Sequence, residues 1–191
     1  DIYKMQSQKK NNAIELDEVL NTDDIKIFGL YDPEDNSLDI NMWSNSDGDQ
    51  LKNIFNKLNK IDLSDDSNDL IKISLLTNAY FPKRNISEEK FLKFREDWLT
   101  KNSDLDLVEE YLIKNQIFDI HPLLSRYLLD TYLSESNIEK ACEILSKNNK
   151  PINDKYLSKF NIYCLIKSNK NDEAQIIFDL KKEIGFSDKY Y

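Results

Sequence analysis

Between Phe91 and Phe186 the same apolar pattern is written three times, 33 positions apart. Phe91, Leu124 and Leu157 form one column. Phe94, Tyr127 and Phe160 form a second, and Leu99, Tyr132 and Leu165 a third. Val108, Ala141 and Ala174 follow, then Tyr111, Ile144 and Ile177, then Leu112, Leu145 and Phe178. Every column is apolar three times over. Within a unit the spacing is three or four, as in Phe91, Phe94, Trp98 and Leu99, which is the spacing of one helix face. One hairpin of two such helices cannot bury both stripes. Stacking hairpins can, so the repeat predicts an all-α solenoid.

The junction inside each hairpin sharpens this reading. Ser136-Asn137-Ile138-Glu139-Lys140-Ala141 in the second unit matches Asn169-Lys170-Asn171-Asp172-Glu173-Ala174 in the third. A turn residue precedes an acidic first turn, which suits a helix N-terminus. Ser136 and Glu139 have capping-box spacing. The small Ala lets the paired helices approach closely. With the aromatic Tyr132 nine residues before Ala141, these words resemble the tetratricopeptide repeat over about half the chain. The family places a small residue where this chain has Glu96, Leu129 and Ile162, so first-helix packing is expected to be irregular. The resemblance implies a right-handed α-solenoid of helical hairpins, tetratricopeptide-like, whose first helices line a binding groove.

The predicted organisation is an irregular N-terminal segment over 1–48 and a helical-repeat domain over 49–191. Its hairpins fall at about 49–80, 87–115, 121–148 and 154–184. Residues 1–12 are polar and read as a lead-in. Ala13 to Leu20 reads as a short helix or an extended docking segment, and Ile25 to Phe28 as a short strand or an extended piece. Asp47 and Gln50 have cap spacing for a helix to about Lys60, and a second helix is expected to run to about Tyr80. Ser87 starts the next helix, and Pro122 after His121 starts another at the favoured first position. Pro151 separates the last two units, and Gly185 stops the final helix.

The stretch Gly29 to Gly48 is acidic and turn-rich. Asp32, Glu34, Asp35 and Asp39 are oxygen donors, but neither register supplies the Gly and Glu of a calcium-binding loop. The alternative is a loop whose Tyr31 and Trp43 plug one end of the stack. The loop also resembles that of uncharacterised bacterial, envelope-associated proteins with helical repeats, which implies a place in the periplasm or cell envelope.

The net charge of −9 repels phosphate backbones and argues against a nucleic-acid partner. No apolar run is long enough to span a membrane. Cys142 and Cys164 lie on helices expected to be antiparallel neighbours, either as a disulfide or as two buried thiols. His121, the only histidine, could pair with Cys142 as base and nucleophile, but no third group orients it. As a residue before a helical Pro it reads as a cap or surface side chain. The sequence therefore indicates no catalytic, metal or cofactor site.

One polar column remains. Lys93, Arg126 and Lys159 also step by 33 on the first helices, with Asp97, Asp130 and Tyr163 four residues later. A cation ladder there suits an acidic peptide or a C-terminal carboxylate. The plainer reading is a pair of exposed same-helix contacts, Lys93–Asp97 and Arg126–Asp130, each worth under about 0.5 kcal/mol. With Tyr156 added as an interface aromatic, the expected role is a non-catalytic scaffold binding a protein or peptide. Two alternatives are a superhelical segment of a larger enzyme, such as a cell-wall lytic transglycosylase, and a structural subunit that stacks end to end.

Overall fold

The structure is a computed structural model that describes residues 27–185 of the chain. The expected lead-in over 1–12, the expected helix at Ala13 to Leu20 and half of the Ile25 to Phe28 stretch lie outside those residues. Among the described residues the protein is all-α. Eight helices follow in order: α1 (Gly48–Leu58), α2 (Asp65–Leu76), α3 (Glu88–Asn102), α4 (Leu105–Asn115), α5 (Pro122–Ser134), α6 (Ile138–Ser146), α7 (Lys155–Lys167) and α8 (Asn171–Glu183).

Three of the six apolar columns keep one environment through all three units, and in the other three the last member, Leu165, Ile177 or Phe178, is only half-buried while its counterparts are buried. Phe91, Leu124 and Leu157 are fully buried, and Phe94, Tyr127 and Phe160 are each half-buried against the same core. The closest helix pairs are α5 with α6 and α7 with α8, and α5 and α6 both pack on α7. Ala141 and Ala174 are buried on α6 and α8, where their small side chains permit that approach. The hairpins expected at 49–80 and 87–115 are not such close pairs. In the latter, Val108 replaces the Ala, and the large side chains of Arg95 and Tyr111 fill the interior. Instead α3 packs on α2 and α5, and α4 packs on α5. Phe55 of α1 stacks on Phe94 of α3 at 4.7 Å.

The turns repeat at the level of the backbone. Ser136 and Asn169 both take φ of 60°. Asn137 N donates to Tyr132 O at 2.8 Å, and Lys170 N donates to Leu165 O at 2.9 Å. This is the bonding that ends a helix through a left-handed residue. It corrects the capping-box reading of Ser136: the N-cap is Asn137, whose side chain accepts from Lys140 N at 3.2 Å. Asp104 caps α4 at the equivalent place.

Other starts fall where expected. Asp47 accepts from the amides of Asp49 and Gln50, Ser87 from Lys90, and Pro122 opens α5. α2 stops at Leu76, short of Tyr80, because Thr77 turns extended and pairs with Tyr31. Leu30 N and Tyr31 N both donate to Leu76 O, so this strip is bonded to the end of α2. Gly29 is required there, since a Cβ would lie 2.6 Å from Leu76 O. Trp43 packs on Phe91 at 5.4 Å and donates Nε1–H to Ser74 O at 3.3 Å. Ile27 and Phe28 form no strand; the Phe28 carbonyl accepts from Arg95 Nη1 of α3 instead.

Cys142 of α6 and Cys164 of α7 are joined as a disulfide, with Cα atoms 5.3 Å apart. This decides between the two readings of the pair and removes the thiolate that a Cys142–His121 couple would need. Closing a loop with a sequence separation of 22 stabilises the chain by about 3 kcal/mol. Reduction, or Cys142→Ala with Cys164→Ala, is expected to lower the unfolding free energy obtained from urea titration by that amount. Superimposed unfolding curves for oxidised and reduced protein would contradict this.

Candidate interaction face

The first helices α3 and α5 meet along a groove. Its deeper end is a cleft of about 530 Å³ walled by Phe28, Leu92, Ile120 and Leu123. A shallower part of about 310 Å³ continues past Lys93, Asp97 and Tyr127. Lys93, Glu96 and Leu123 line both parts, so the groove is continuous. Leu123 is 57% exposed although it sits in the first turn of a helix, where polar residues usually stand.

Lys93 and Asp97 are paired along α3 at 3.3 Å, and both are exposed. The Arg126–Asp130 pair is not made. Arg126 crosses to α7, where Nε meets Asp154 Oδ1 at 3.3 Å and Nη2 meets Oδ2. Its guanidinium lies 5.6 Å from the Tyr156 ring centroid. Asp130 accepts from the Tyr156 hydroxyl. Burial, helped by Asp130, pushes the Tyr156 phenol up to about 12. Asp154 also caps α7 through Leu157 N. Burial alone would raise its carboxyl, but the Leu157 amide and Arg126 outweigh that and hold it below the usual carboxylate range. Tyr163 stacks on Phe160 of its own helix at 5.8 Å, and Lys159 stands half-buried on α7. The seven predicted residues thus do not form one ladder: Lys159 and Tyr163 stand on α7, and the other five divide into two groups. Lys93 and Asp97 line the groove, and Arg126, Asp130 and Tyr156 join α5 to α7.

His121 is the N-cap of α5 by position, but it is not a surface residue. It is 3% exposed, its side chain makes no cap bond, and its ring lies 5.8 Å from that of Tyr111. Glu96 of α3 does the capping instead, accepting from Leu124 N at 2.9 Å. Burial raises the Glu96 carboxyl, with the Leu124 amide opposing. Sequence reasoning missed Glu96 and Leu123 as groove residues. An apolar residue just after the helix-opening Pro was the available signal for Leu123.

The Arg95 guanidinium is fully buried beside this groove. It donates to Phe28 O and lies 5.3 Å from the Phe91 centroid and 5.5 Å from that of Phe81. Among the described residues no carboxylate meets it. Burial lowers its pKa, and burial raises that of Tyr111. Among the described residues no group of three or more His, Cys, Asp or Glu could hold a metal ion, and no helix is long and apolar enough to cross a membrane. No family model, no curated protein and no solved structure matches the chain.

Burial, with the Arg95 charge adding, pushes His121 from 6.5 down to about 4. Above pH 6.5 the ring is neutral whether or not the chain is folded. As pH falls from there to about 4, the unfolded chain takes up a proton that the folded chain refuses. The stabilisation is therefore full above pH 6.5 and lost towards pH 4, on the order of 3 kcal/mol in all. Urea unfolding at neutral pH and near pH 4 should show a steeper fall for the wild type than for His121→Gln. Equal slopes would mean that His121 titrates normally in the folded chain.

Proposed function

We propose that this protein is a non-catalytic interaction scaffold, a right-handed tetratricopeptide-like solenoid that binds an extended peptide of a protein partner. The observation that carries the reading is the continuous α3–α5 groove with the exposed Leu123 in its wall. An apolar side chain of the peptide seats against Phe28, Leu92, Ile120 and Leu123. The rim carries both signs, Lys90 and Lys93 with Glu88, Glu89 and Glu96, so apolar contact supplies affinity and charge sets direction. The preference for an acidic peptide rests on Lys93. Its exposed pair with Asp97 is worth under about 1 kcal/mol, so a ligand carboxylate can displace Asp97. The disulfide supports work in an oxidising compartment.

Affinity capture from an extract of the parent cell tests this, using wild type, Leu123→Asp and Lys93→Glu. Both side chains are exposed, so both variants should fold. Recovery of the wild-type partners is expected to drop about tenfold for Leu123→Asp and less for Lys93→Glu. Equal recovery of the same proteins by all three overturns the proposal.

A further inference from the structure

Two residues that wall the α3–α5 cleft, Phe28 and His121, also border a buried polar cluster. Arg95 of α3 donates Nη1–H to the Phe28 carbonyl, and the Tyr111 ring of α4 lies 5.8 Å from that of His121. The Arg95 charge acts on both Tyr111 and His121, so the three groups lie together. Arg95 and Tyr111 are fully buried, and His121 is nearly so. Each carries atoms with no hydrogen-bond partner: Arg95 Nε and Nη2, the Tyr111 hydroxyl and His121 Nε2. Among the described residues eight buried side-chain nitrogens and oxygens lack a partner, and these are four of them. Such atoms are costly to leave unmet, so four at one place point to a ligand.

All four can donate. Nε–H and Nη2–H form one edge of the guanidinium, the fork that holds a carboxylate through both oxygens. On Arg126 the same two nitrogens hold the two oxygens of Asp154. On Arg95 the Phe28 carbonyl takes Nη1, and the Phe81 and Phe91 rings lie 5.5 and 5.3 Å away, so that edge stays open. The Tyr111 hydroxyl donates, and a neutral imidazole donates when its proton is on Nε2. Converging donors suit an oxyanion. Glu88, Glu89 and Glu96 stand against Lys90 and Lys93 around the cleft, so a singly charged carboxylate enters more readily than a dianionic phosphate.

We propose that Arg95, Tyr111 and His121 bind the C-terminal carboxylate of the peptide in the groove, which enters between Phe28 and His121. The last side chain of that peptide is aliphatic and seats against Leu92, Ile120 and Leu123. The apolar wall and the donors adjoin, so one residue that carries both an apolar side chain and a free carboxylate fills them. A Glu or Asp side chain would bring the charge without the aliphatic group. The inference rests on the groove reading above and names the end of the peptide.

His121 is the only histidine in the chain, so its ring protons are a single NMR reporter. The whole chain is titrated at neutral pH with N-acetyl-leucine, with N-acetyl-leucinamide and with the α-amide of N-acetylglutamate. N-acetyl-leucine should shift the His121 signal saturably, and about tenfold more tightly than either amide. Arg95→Lys keeps the charge but loses the fork, and Tyr111→Phe loses only a hydroxyl. Each should weaken N-acetyl-leucine about tenfold and leave N-acetyl-leucinamide unchanged, with circular dichroism unaltered. If Arg95→Lys unfolds the chain, Tyr111→Phe decides. Equal affinity for acid and amide, no saturable shift with the acid, or undiminished binding by Tyr111→Phe overturns the proposal. So does equal or tighter binding of the glutamate amide, which would reassign the donors to an acidic side chain. A response to acid and amide alike that Leu123→Asp abolishes would overturn this inference and leave the groove reading standing.

Discussion

Each second helix presents one position to the hairpin that follows it, and the residue there decides how the joint is held. The column reads Glu109, Cys142 and Gln175. Glu109 is buried between hairpins, where Lys140 meets it at 3.0 Å, Lys147 at 3.5 Å and the Tyr132 hydroxyl at 3.4 Å. Cys142 bonds covalently to Cys164. Gln175 hydrogen-bonds Asp179 of its own helix. One joint is ionic and one covalent, and at the last helix the same position turns inward on itself. A buried carboxylate is costly to strip of its partners, so the first joint resists change at either lysine. The covalent joint depends on redox conditions.

The floor of the groove depends on a different interaction. A fully buried guanidinium is expensive to desolvate, and Arg95 is met by a carbonyl and two aromatic faces. Its bond to Phe28 brings the incoming chain under α3. Asn115 adds to this, accepting from Gly29 N and donating to Gly29 O, and Lys114 reaches Leu30 O. Phe28 therefore lines the cleft because α3 and α4 hold its backbone from two sides. The loops between units are bonded in a similar manner. Asp119 accepts from the amides of Asn153 and Asp154, and Gln116 accepts from Asn149 N and donates to Lys147 O.

What the sequence disclosed follows from range. The apolar columns and the caps at Asp47 and Ser87 are local or periodic signals, and burial and hydrogen bonding agree with them except at Leu165, Ile177 and Phe178 of the last unit, which are only half-buried. The contacts that were missed are side chains reaching another element. Arg126 was expected to meet Asp130 four residues on, but Asp154 offers two oxygens in a fork that matches a guanidinium. Glu96 occupies a position that the repeat family fills with a small residue, and its length lets it cap α5. Ser136 looked like a cap because its hydroxyl suits one. Its left-handed backbone is set by the turn after α5, which passes the capping task to Asn137.

These pairings redistribute the protein's charge. Arg126 pairs across the α5–α7 joint and Lys93 along its own helix. Exposed pairs are screened within about 8 Å at physiological salt. On the proposed reading, the apolar wall of the α3–α5 groove adds discrimination by shape to the charge of its rim, since one extra or missing methylene is worth about 1 kcal/mol.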